Sequence, residues 1–575
     1  LKPILGAEIT LEDGSHLTLL AESNEGYANL CQLITAGRMN APKGQASVPW
    51  DVVSRHTKGL LCLTGCRRGP VARHVAVSDM QAAKRWLSFL LDLFGRRNVY
   101  VELQRNLRRD DVKVSRRLAG LAVERSIPYV ATGNVHYLSS DDADLQDVLA
   151  SIRERVPMQK ANNILRPNHE YFLHSAQGML ELFKELPDAV GNTLIVAERC
   201  NAELPMGLQV LPKVPTPQDM TADEYLRFLC EAQLKRHYPN NTEQARTLLE
   251  KEIDLIRRLG LANYFLVVWD IVAFCERRGI LCHWRGAAAN SIVSKLLGIS
   301  AVDPIQQQLV VERFISVEHG GTPDIDLDID AAQRESVIQY VYDRWGRDHA
   351  AMACTYVTFR SASAIRDAGF ALGFKPETIE EIATAIEGER RAQEMDEDGR
   401  VEHADTPVSQ LAAQPPNHRA TAPRSGSGVG TTQLSSTEWQ RLTSLATRLQ
   451  GRPRHLGLHN GGMVVTGNPI ASLVPVEPAT MENRTVVQFD KEWLETLGIV
   501  KIDLLGLRML SAIADTVMLA RETRGKEIDL RQLDFKEKAV YDQICSARTI
   551  GIFQVESGAQ VSLIPHMQPR CFQDL

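Results

Sequence analysis

The 575-residue sequence lacks several features that define common protein classes. It contains ten cysteines but no Cys-x-x-Cys pair, and Cys62-x3-Cys66 is the tightest spacing. This pattern fits neither a disulfide framework nor a zinc-finger site, so we expect reduced thiols. No apolar run reaches the roughly 18 residues that a membrane-spanning helix needs. The best candidate, residues 264–274, is interrupted by Asp270.

A strong charge of one sign is lacking too. Lys and Arg total 65 and Asp and Glu total 71, which gives a net charge of −6. This excludes a histone-like polycation, although a local basic channel is compatible with such an average. No secretory signal opens the sequence, so we expect a cytoplasmic protein. The first residue is Leu1 rather than Met, and the sequence stops at Leu575 without a C-terminal signal, so we expect a fragment cut at both ends.

The composition that is present is that of a multidomain globular protein. Hydrophobic residues make up 44% and charged residues 24% of the sequence, and the length suggests about three to five domains. Residues 1–140 alternate short β-rich runs with helical stretches, which predicts an α/β fold. Residues 141–300 are mainly helical, and the pair Thr221 and Glu224 forms a capping box that predicts a helix start.

Residues 391–438 differ from the rest of the chain. They contain few large aliphatic residues, and they include Pro415-Pro416 and a Ser-Gly-Ser-Gly run at 425–428. Such a segment cannot bury enough apolar surface to offset its ordering entropy, so we predict a disordered insertion. Regular structure is expected to resume with a helix over 439–449.

The most informative segment is 323–330, with the sequence Pro-Asp-Ile-Asp-Leu-Asp-Ile-Asp. In a strand, alternate side chains share a face, so the four aspartates form a row backed by apolar residues. Carboxylates on one face repel each other unless cations lie among them. Two Mg²⁺ ions would relieve the repulsion and could assist a phosphoryl transfer.

Two alternatives compete with this interpretation of the acidic segment. A calcium loop starting at Asp324 would place Glu335 at position 12, but Ile329 then occupies position 6, where the loop needs glycine. We therefore reject the calcium loop. An acidic strand edge exposed to water remains open as an alternative, although the three apolar residues imply a buried opposite face.

Two further segments give weaker signals when each is taken alone. Lys501 and Asp503 are two residues apart in a strand-like run, which suits a third metal carboxylate beside a phosphate-binding lysine, or an ordinary solvated face. Residues 283–291 form a glycine-containing turn before a helix. Such a turn can present amides to phosphate, or it can be a plain helix start.

Taken together, these segments resemble a known family. Residues 312–314, 323–328 and 500–507 occur in the order of the palm signature of the C-family bacterial replicative polymerases, the alpha subunit of DNA polymerase III. Further stretches that are similar to this family lie at 1–8, 264–270, 364–367, 459–462 and 551–557. Residues 64–66, 288–291 and 560–575 most resemble its error-prone, damage-induced branch.

The resemblance implies a multidomain architecture of α/β and helical parts. It implies a partial, barrel-like PHP domain, a polymerase-beta-like nucleotidyltransferase palm, a helical thumb and the start of the fingers. The expected divisions are 1–150 for the partial PHP domain, 151–300 for palm with inserted thumb, 301–390 for palm with the first catalytic aspartates, 391–438 for the insertion, 439–515 for palm with the third aspartate, and 516–575 for the start of the fingers.

The resemblance also implies roles for individual residues in template-directed, error-prone DNA synthesis. It implies Asp326, Asp328 and Asp503 as catalytic ligands of two Mg²⁺ ions, with Asp324 structural. The implied nucleotide-binding residues are Arg285, Gly286, Arg313 and Lys501. Four residues around a Gly-Gly turn are candidates for contact with DNA, or form a solvated basic loop: Arg452, Arg454, His455 and His459. Implied partners are primer–template DNA, deoxynucleoside triphosphates and, through a segment beyond Leu575, a sliding clamp and accessory translesion proteins; no membrane partner is implied.

The sequence departs from the family pattern at two places. In the phosphate-binding turn, Trp284 stands where the family has glycine and Ala287 where it has serine, which predicts a crowded turn and a lost hydroxyl. In the PHP part, Asn106 and Asn134 replace a histidine and an aspartate, and His136 cannot hold metals alone. A non-catalytic DNA-binding remnant and a PHP-type phosphoesterase therefore remain as alternative functions.

Overall fold

The computed structural model describes most of the chain and divides it into two compact units. The residues outside the description are 1, 43, 208–209, 218–219, 286, 301, 312–313, 316–324, 394–407, 409–433, 531–532, 534–535, 572–573 and 575. Unit 1 comprises Leu1–Pro205, Cys354–Leu458 and Ala471–Asp490, and unit 2 comprises Met206–Ala353, His459–Ile470 and Lys491–Leu575.

The described residues form β-strands and α-helices in both units. The strands are β1 (Gly6–Thr10), β2 (His16–Ala21), β3 (Leu60–Leu63), β4 (Val99–Gln104), β5 (Tyr129–Thr132), β6 (Cys282–Arg285), β7 (Ile325–Asp330), β8 (Ala350–Thr358), β9 (Pro453–Val465), β10 (Val476–Pro478), β11 (Thr485–Asp490) and β12 (Lys501–Leu507). The helices are α1 (Asn24–Met39), α2 (Trp50–Arg55), α3 (Ala72–Ala76), α4 (Met80–Phe94), α5 (Asp111–Glu124), α6 (Ala143–Glu154), α7 (Ala176–Leu182), α8 (Pro187–Arg199), α9 (Ala222–His237), α10 (Thr242–Arg258), α11 (Ala262–Arg278), α12 (Ile292–Leu296), α13 (Arg334–Trp345), α14 (Ser361–Leu372), α15 (Pro376–Gln393), α16 (Ser436–Leu449), α17 (Lys491–Thr496), α18 (Arg508–Arg524), α19 (Lys538–Cys545) and α20 (Gly558–Met567).

The first sheet of unit 1 confirms the α/β prediction for the N-terminal region. Its strand order is β1-β2-β3-β4-β5, with antiparallel pairing from β1 to β3 and parallel pairing from β3 to β5. Strands β3 and β4 are buried almost throughout, as parallel strands covered on both faces are. Among the described residues this sheet is open, so the barrel-like expectation becomes an open α/β sheet.

A second core of unit 1 is helical and includes Val408 and Leu434 of the predicted insertion. It joins α6, α14, α15 and α16, and Val408 is fully buried in it. The Val408 amide donates a hydrogen bond to Gln450 Oε1 at 2.9 Å. Helix α16 begins at Ser436 behind a capping box formed by Ser435 and Glu438, three residues before the predicted start. Most of the predicted insertion, 394–407 and 409–433, lies outside the described residues.

The sheet of unit 2 contains the acidic strand. Its neighbours follow the order β9-β12-β7-β6. Strand β12 runs parallel to β7, whereas β6 is antiparallel to β7 and the last part of β9 is antiparallel to β12. Leu327, Ile329, Ile502 and Leu504 are at most 2% exposed. The alternating sequence pattern therefore forms a strand with a buried apolar back, which confirms the rejection of the calcium loop.

The helices of unit 2 confirm the mainly helical prediction for the segment before β6. Helix α9 begins at the predicted capping box of Thr221 and Glu224. Helix α11 contains the apolar run 264–274, and Asp270 within it pairs with Arg344 Nε at 3.1 Å. None of the described helices is by itself long and apolar enough to cross a membrane; only the bent pair α10 and α11 passes such a test jointly.

Candidate active site

A row of side chains crosses four neighbouring strands of unit 2. The register places side by side, from β9 to β6, the residues Gly462, Asp503, Asp326 and Arg285. Paired residues on adjacent strands project to the same face, about 4.8 Å apart. Asp328 lies two residues along β7 and therefore on that face too. The structure thus brings the three sequence-predicted aspartates together, although Asp328 and Asp503 are 175 residues apart in sequence.

Two cations offset the negative charge of these aspartates. Lys501 Nζ contacts Asp503 Oδ2 at 2.7 Å. Arg285 clamps Asp328 with both arms of its guanidinium, Nε contacting Oδ2 at 2.9 Å and Nη2 contacting Oδ1. Asp328, Asp503 and Lys501 are only 7–8% exposed, and charges so deeply buried need partners of opposite sign. The hydrogen bond to Asp328 is the largest of the influences that raise the pKa of Arg285.

Among the described residues, one oxygen of this cluster has no hydrogen-bond donor. Asp503 Oδ1 is buried and has no hydrogen-bond partner in the part of the chain that the structure describes, and His459 Nδ1 is 3.7 Å away. That nitrogen already accepts the Gly462 N–H at 2.7 Å, so it carries no proton to donate to Asp503. A buried carboxylate oxygen without a donor requires an explanation. Such an oxygen is a suitable ligand for a hard divalent cation such as Mg²⁺. The donor set of Asp326, Asp328 and Asp503 therefore fits such an ion.

Gly462 is the position around which the cluster packs. A Cβ atom there would lie 2.8 Å from His459 Nδ1, 3.0 Å from Lys501 Cδ and 3.1 Å from Asp503 Oδ1. Only glycine leaves room for these three groups together. Sequence reasoning noted the Gly-Gly turn as a basic loop and missed this packing role, because nothing local identifies the strand that pairs with β9.

The other predicted site residues differ in whether the structure describes them and in which unit they lie. Gly286, Arg313 and Asp324 lie outside the described residues. Among the proposed DNA contacts in unit 1, Arg454 Nε bonds Asp367 Oδ2 at 2.7 Å and Arg452 Nε donates to the Arg448 carbonyl at 2.7 Å. His455, also in unit 1, is exposed. His459 belongs to unit 2 and lies beside Asp503.

Three residues of this region have neighbours that the sequence did not predict. Trp284 was expected to crowd the phosphate-binding turn, but it alternates with Arg285 along β6 and so faces the other side of the sheet, where its ring meets Phe314 edge-on with centroids 5.6 Å apart. His283 pairs with Asp328 in the register and was not singled out. Asp330 bonds Ser511 of α18, so it links β7 to that helix.

Unit 1 contains a separate cluster with donors of mixed type. One donor atom each from Glu8, His16 and Cys66 lies within 4.8 Å of the others, so the three could hold one divalent ion. His16 Nδ1 is 2.9 Å from Glu8 Oε1 and 3.6 Å from Cys66 Sγ. Asn106, at the position of an implied ligand, instead donates from Nδ2 to the backbone carbonyls of Gly133 and Glu170. Sequence reasoning missed this cluster, since its members are up to 58 residues apart.

Comparison with known protein families agrees with this arrangement. Residues 1–106 match the PHP domain, residues 224–506 match the bacterial DNA polymerase III alpha NTPase domain, and residues 509–575 match the bacterial DNA polymerase III alpha subunit finger domain. The three aspartates all fall within the second of these matches.

Curated relatives extend the similarity to the whole chain. Proteins named "Error-prone DNA polymerase" from Mycobacterium bovis, Symbiobacterium thermophilum and Pseudomonas aeruginosa are 36%, 35% and 36% identical to it. Each alignment covers 100% of this chain and 50%, 52% and 51% of the respective relative. The chain thus spans about half the length of the curated relatives it matches. With its three matching domains in order, the chain belongs to the family of the bacterial DNA polymerase III alpha subunit.

Proposed function

We propose that the chain is the catalytic part of a template-directed DNA polymerase that adds deoxynucleoside triphosphates to a primer 3′ end. The observation that supports this proposal is the pairing of Asp503 with Asp326 across β12 and β7, with Asp328 on the same face. Three acids and two cations on one sheet face suit a reaction in which phosphate charge is bound and redistributed. The family membership supports the same reaction class.

Divalent ions, which we propose to be two Mg²⁺, would supply the positive charge that stabilises the reacting α-phosphate and the departing pyrophosphate. Asp326, Asp328 and Asp503 would hold these ions. In the reaction the primer 3′-oxygen forms a bond to the α-phosphorus, and the bond from that phosphorus to the bridging oxygen of pyrophosphate breaks. The protein residues orient the groups and balance their charge.

Arg285 and Lys501 are the chain's own candidates for binding the triphosphate. Each now neutralises a carboxylate, Arg285 at Asp328 and Lys501 at Asp503. Arg285 engages both oxygens of Asp328, so an ion that binds Asp328 would compete with the guanidinium for the negative charge of this carboxylate. Two oxygens of a phosphate group offer the guanidinium an equivalent bidentate partner. We infer that nucleotide binding and ion binding assist each other through this exchange.

Primer extension by the purified full-length protein tests the proposal. Wild type is expected to add single nucleotides in a template-dependent and divalent-ion-dependent manner. Asp326→Ala and Asp503→Asn variants, purified identically, are expected to show no extension above background. Equal extension by wild type and both variants would show that the activity comes from a contaminant or another site, and would overturn the assignment.

We further propose that synthesis is error-prone and serves translesion repair of damaged DNA, in the cytoplasm and together with a sliding clamp and accessory proteins. The name shared by the curated relatives supports this specialisation. Extension past an abasic template site, compared with extension on undamaged template, tests it. A block at the lesion as complete as that of a high-fidelity polymerase would contradict it.

The cluster of Glu8, His16 and Cys66 favours a second candidate function, a metal-dependent phosphoesterase in the PHP domain. Hydrolysis by a pair of ions needs ligands for both, whereas these three residues supply one group of donors. We therefore give this function second place. Hydrolysis of a phosphodiester substrate that is lost in Cys66→Ser but kept in Asp503→Asn would establish it.

A further inference from the structure

A buried acid on helix α10 lies among apolar residues. Glu252 is fully buried, and the other buried positions on its helix include Leu249, Ile253 and Ile256. Placing a carboxylate in such a stripe is costly unless it is hydrogen-bonded. Its retention at this position therefore indicates specific partners.

Those partners are at the start of helix α12. The Glu252 carboxylate accepts the Ser291 hydroxyl at 2.9 Å, the Ile292 amide at 2.9 Å and the Val293 amide at 3.1 Å. The Ser291 oxygen in turn accepts the Ser294 amide at 3.0 Å. The first three amides of α12 thus have side-chain acceptors. The Glu252 carboxylate also places a negative charge at the positive end of the helix dipole.

This arrangement changes the expectation for the phosphate-binding segment. The sequence suggested that the helix start after residue 286 could present its amides to phosphate, but Glu252 and Ser291 already occupy them. The intervening residues Ala287–Asn290 form a short 3-10 helix. On their N-terminal side they follow β6, in which Arg285 is paired with Asp326 in the strand register. On their C-terminal side they lead into α12, whose first amide is hydrogen-bonded to Glu252.

From these contacts we propose that Glu252 is a positioning residue that sets where residues 287–290 lie relative to the row of Arg285, Asp326 and Asp503. The inference rests on the proposed polymerase function. With Glu252 in place, the turn is anchored at both ends. Without it, β6 still fixes the first end, but α12 loses three hydrogen-bond acceptor contacts and can shift. Nucleotide binding should weaken while the chemical step, which depends on the aspartates, is largely kept.

The test is steady-state single-nucleotide incorporation by the full-length protein carrying Glu252→Gln, which keeps the side-chain size but removes the charge. KM for the nucleotide is expected to rise about tenfold, while kcat stays within about threefold, since small displacements of a substrate-positioning group cost one to two orders of magnitude. Ser291→Ala removes one of the three contacts to Glu252 together with the acceptor of the Ser294 amide; it is expected to raise KM about threefold and provides a second variant should Glu252→Gln fail to fold. Glu250→Gln is the matched control, because Glu250 is exposed on the same helix and pairs with Arg227 at 3.0 Å.

The outcomes separate this inference from the proposed function. Wild type that does not incorporate nucleotides overturns both. Active wild type with an unchanged KM in both Glu252→Gln and Ser291→Ala, whatever their melting temperatures, overturns the positioning role alone. A second readout comes from Ala287→Ser, since any gain it gives in the wild-type background should be lost with Glu252→Gln if Glu252 positions that segment. An equal gain in both backgrounds would contradict the inference.

Discussion

Two regions of this chain gather side chains that could hold metal ions, and they satisfy those side chains in opposite ways. In unit 1 the donors bond each other, with His16 Nδ1 2.9 Å from Glu8 Oε1 and 3.6 Å from Cys66 Sγ. In unit 2 the donors are all carboxylates, and their charge is offset by Lys501 and Arg285. The donors of one cluster contact each other, whereas the carboxylates of the other cluster are paired with basic side chains.

This difference indicates which cluster depends on a ligand. The hydrogen bond from His16 is the main cause that holds the pKa of Glu8 below its ordinary value, while burial raises the pKa of the Cys66 thiol to about 11. Cys66 is therefore a neutral thiol near pH 7 when no ion is bound, and the side chains of the unit 1 cluster contact each other. Asp503 Oδ1, in contrast, is buried and receives no hydrogen bond from the described residues. Such an oxygen is suited to a partner from outside the described residues, and a divalent cation is one such partner.

The largest expected effect tests this difference directly. Asp503→Asn keeps the side-chain shape but removes the charge next to Asp326, so we expect kcat/KM for nucleotide incorporation to fall by at least about a thousandfold. Cys66→Ser should leave incorporation within about twofold. Asp343→Asn, an exposed acid on α13, controls for a general change of charge. If Cys66→Ser lowered incorporation as much as Asp503→Asn, the two clusters could not be assigned separate roles.

A smaller effect is expected at Gly462. Its missing Cβ leaves room for His459, Lys501 and Asp503, so Gly462→Ala must displace one of them by several tenths of an ångström. We expect kcat/KM to fall about tenfold to hundredfold with a small change in melting temperature. Gly558→Ala is the matched control in the same unit, because its added methyl group meets open space. Normal kinetics of Gly462→Ala would show that the cluster is not rigidly packed.

The two departures from the family pattern beside Arg285 lead to different predictions, one for stability and one for activity. Trp284 packs edge-on against Phe314, so Trp284→Gly should lower the free energy of unfolding by about 2–4 kcal/mol through loss of buried area and should not activate the enzyme. Ala287→Ser should raise kcat/KM about tenfold to hundredfold if its hydroxyl reaches the triphosphate, since a hydrogen bond to a charged group contributes about 1.5–3 kcal/mol. Chemical denaturation and primer extension measure the two effects. Activation by Trp284→Gly would restore the original expectation of a crowded turn.

Local patterns in the sequence predicted the parts of the site that one strand contains. The acidic face of 325–330 and its apolar back follow from a period of two, which needs no tertiary information. The partner of that strand could not be derived in the same way. Asp503 beside Asp326 depends on the parallel register of β12 and β7, and only the family resemblance suggested that these residues meet.

Short elements and single buried residues limited the prediction elsewhere. Strand β6 has four residues, too few for a period to show that Trp284 and Arg285 face opposite sides. Val408 is one buried residue inside a segment whose average composition predicts disorder. Glu252 is polar in an amphipathic helix, and nothing in its neighbourhood along the chain reveals that its partners lie about 40 residues later, at the start of α12.

The smallest expected effect is a shift in stability at the unit 1 cluster. Glu8, His16 and Cys66 offer oxygen, nitrogen and sulfur donors, a set that Zn²⁺ accepts, but three ligands make an incomplete site. Zn²⁺ at about ten times its dissociation constant would stabilise the folded state by about 1.4 kcal/mol. For a unit of this size that corresponds to a rise of a few degrees in melting temperature. Cys66→Ser should abolish the rise, while Cys200→Ser, a change at another buried cysteine of the same unit, should retain it. A rise that survives Cys66→Ser would show that Zn²⁺ binds elsewhere, and then the cluster of unit 1 would be a hydrogen-bonded group alone.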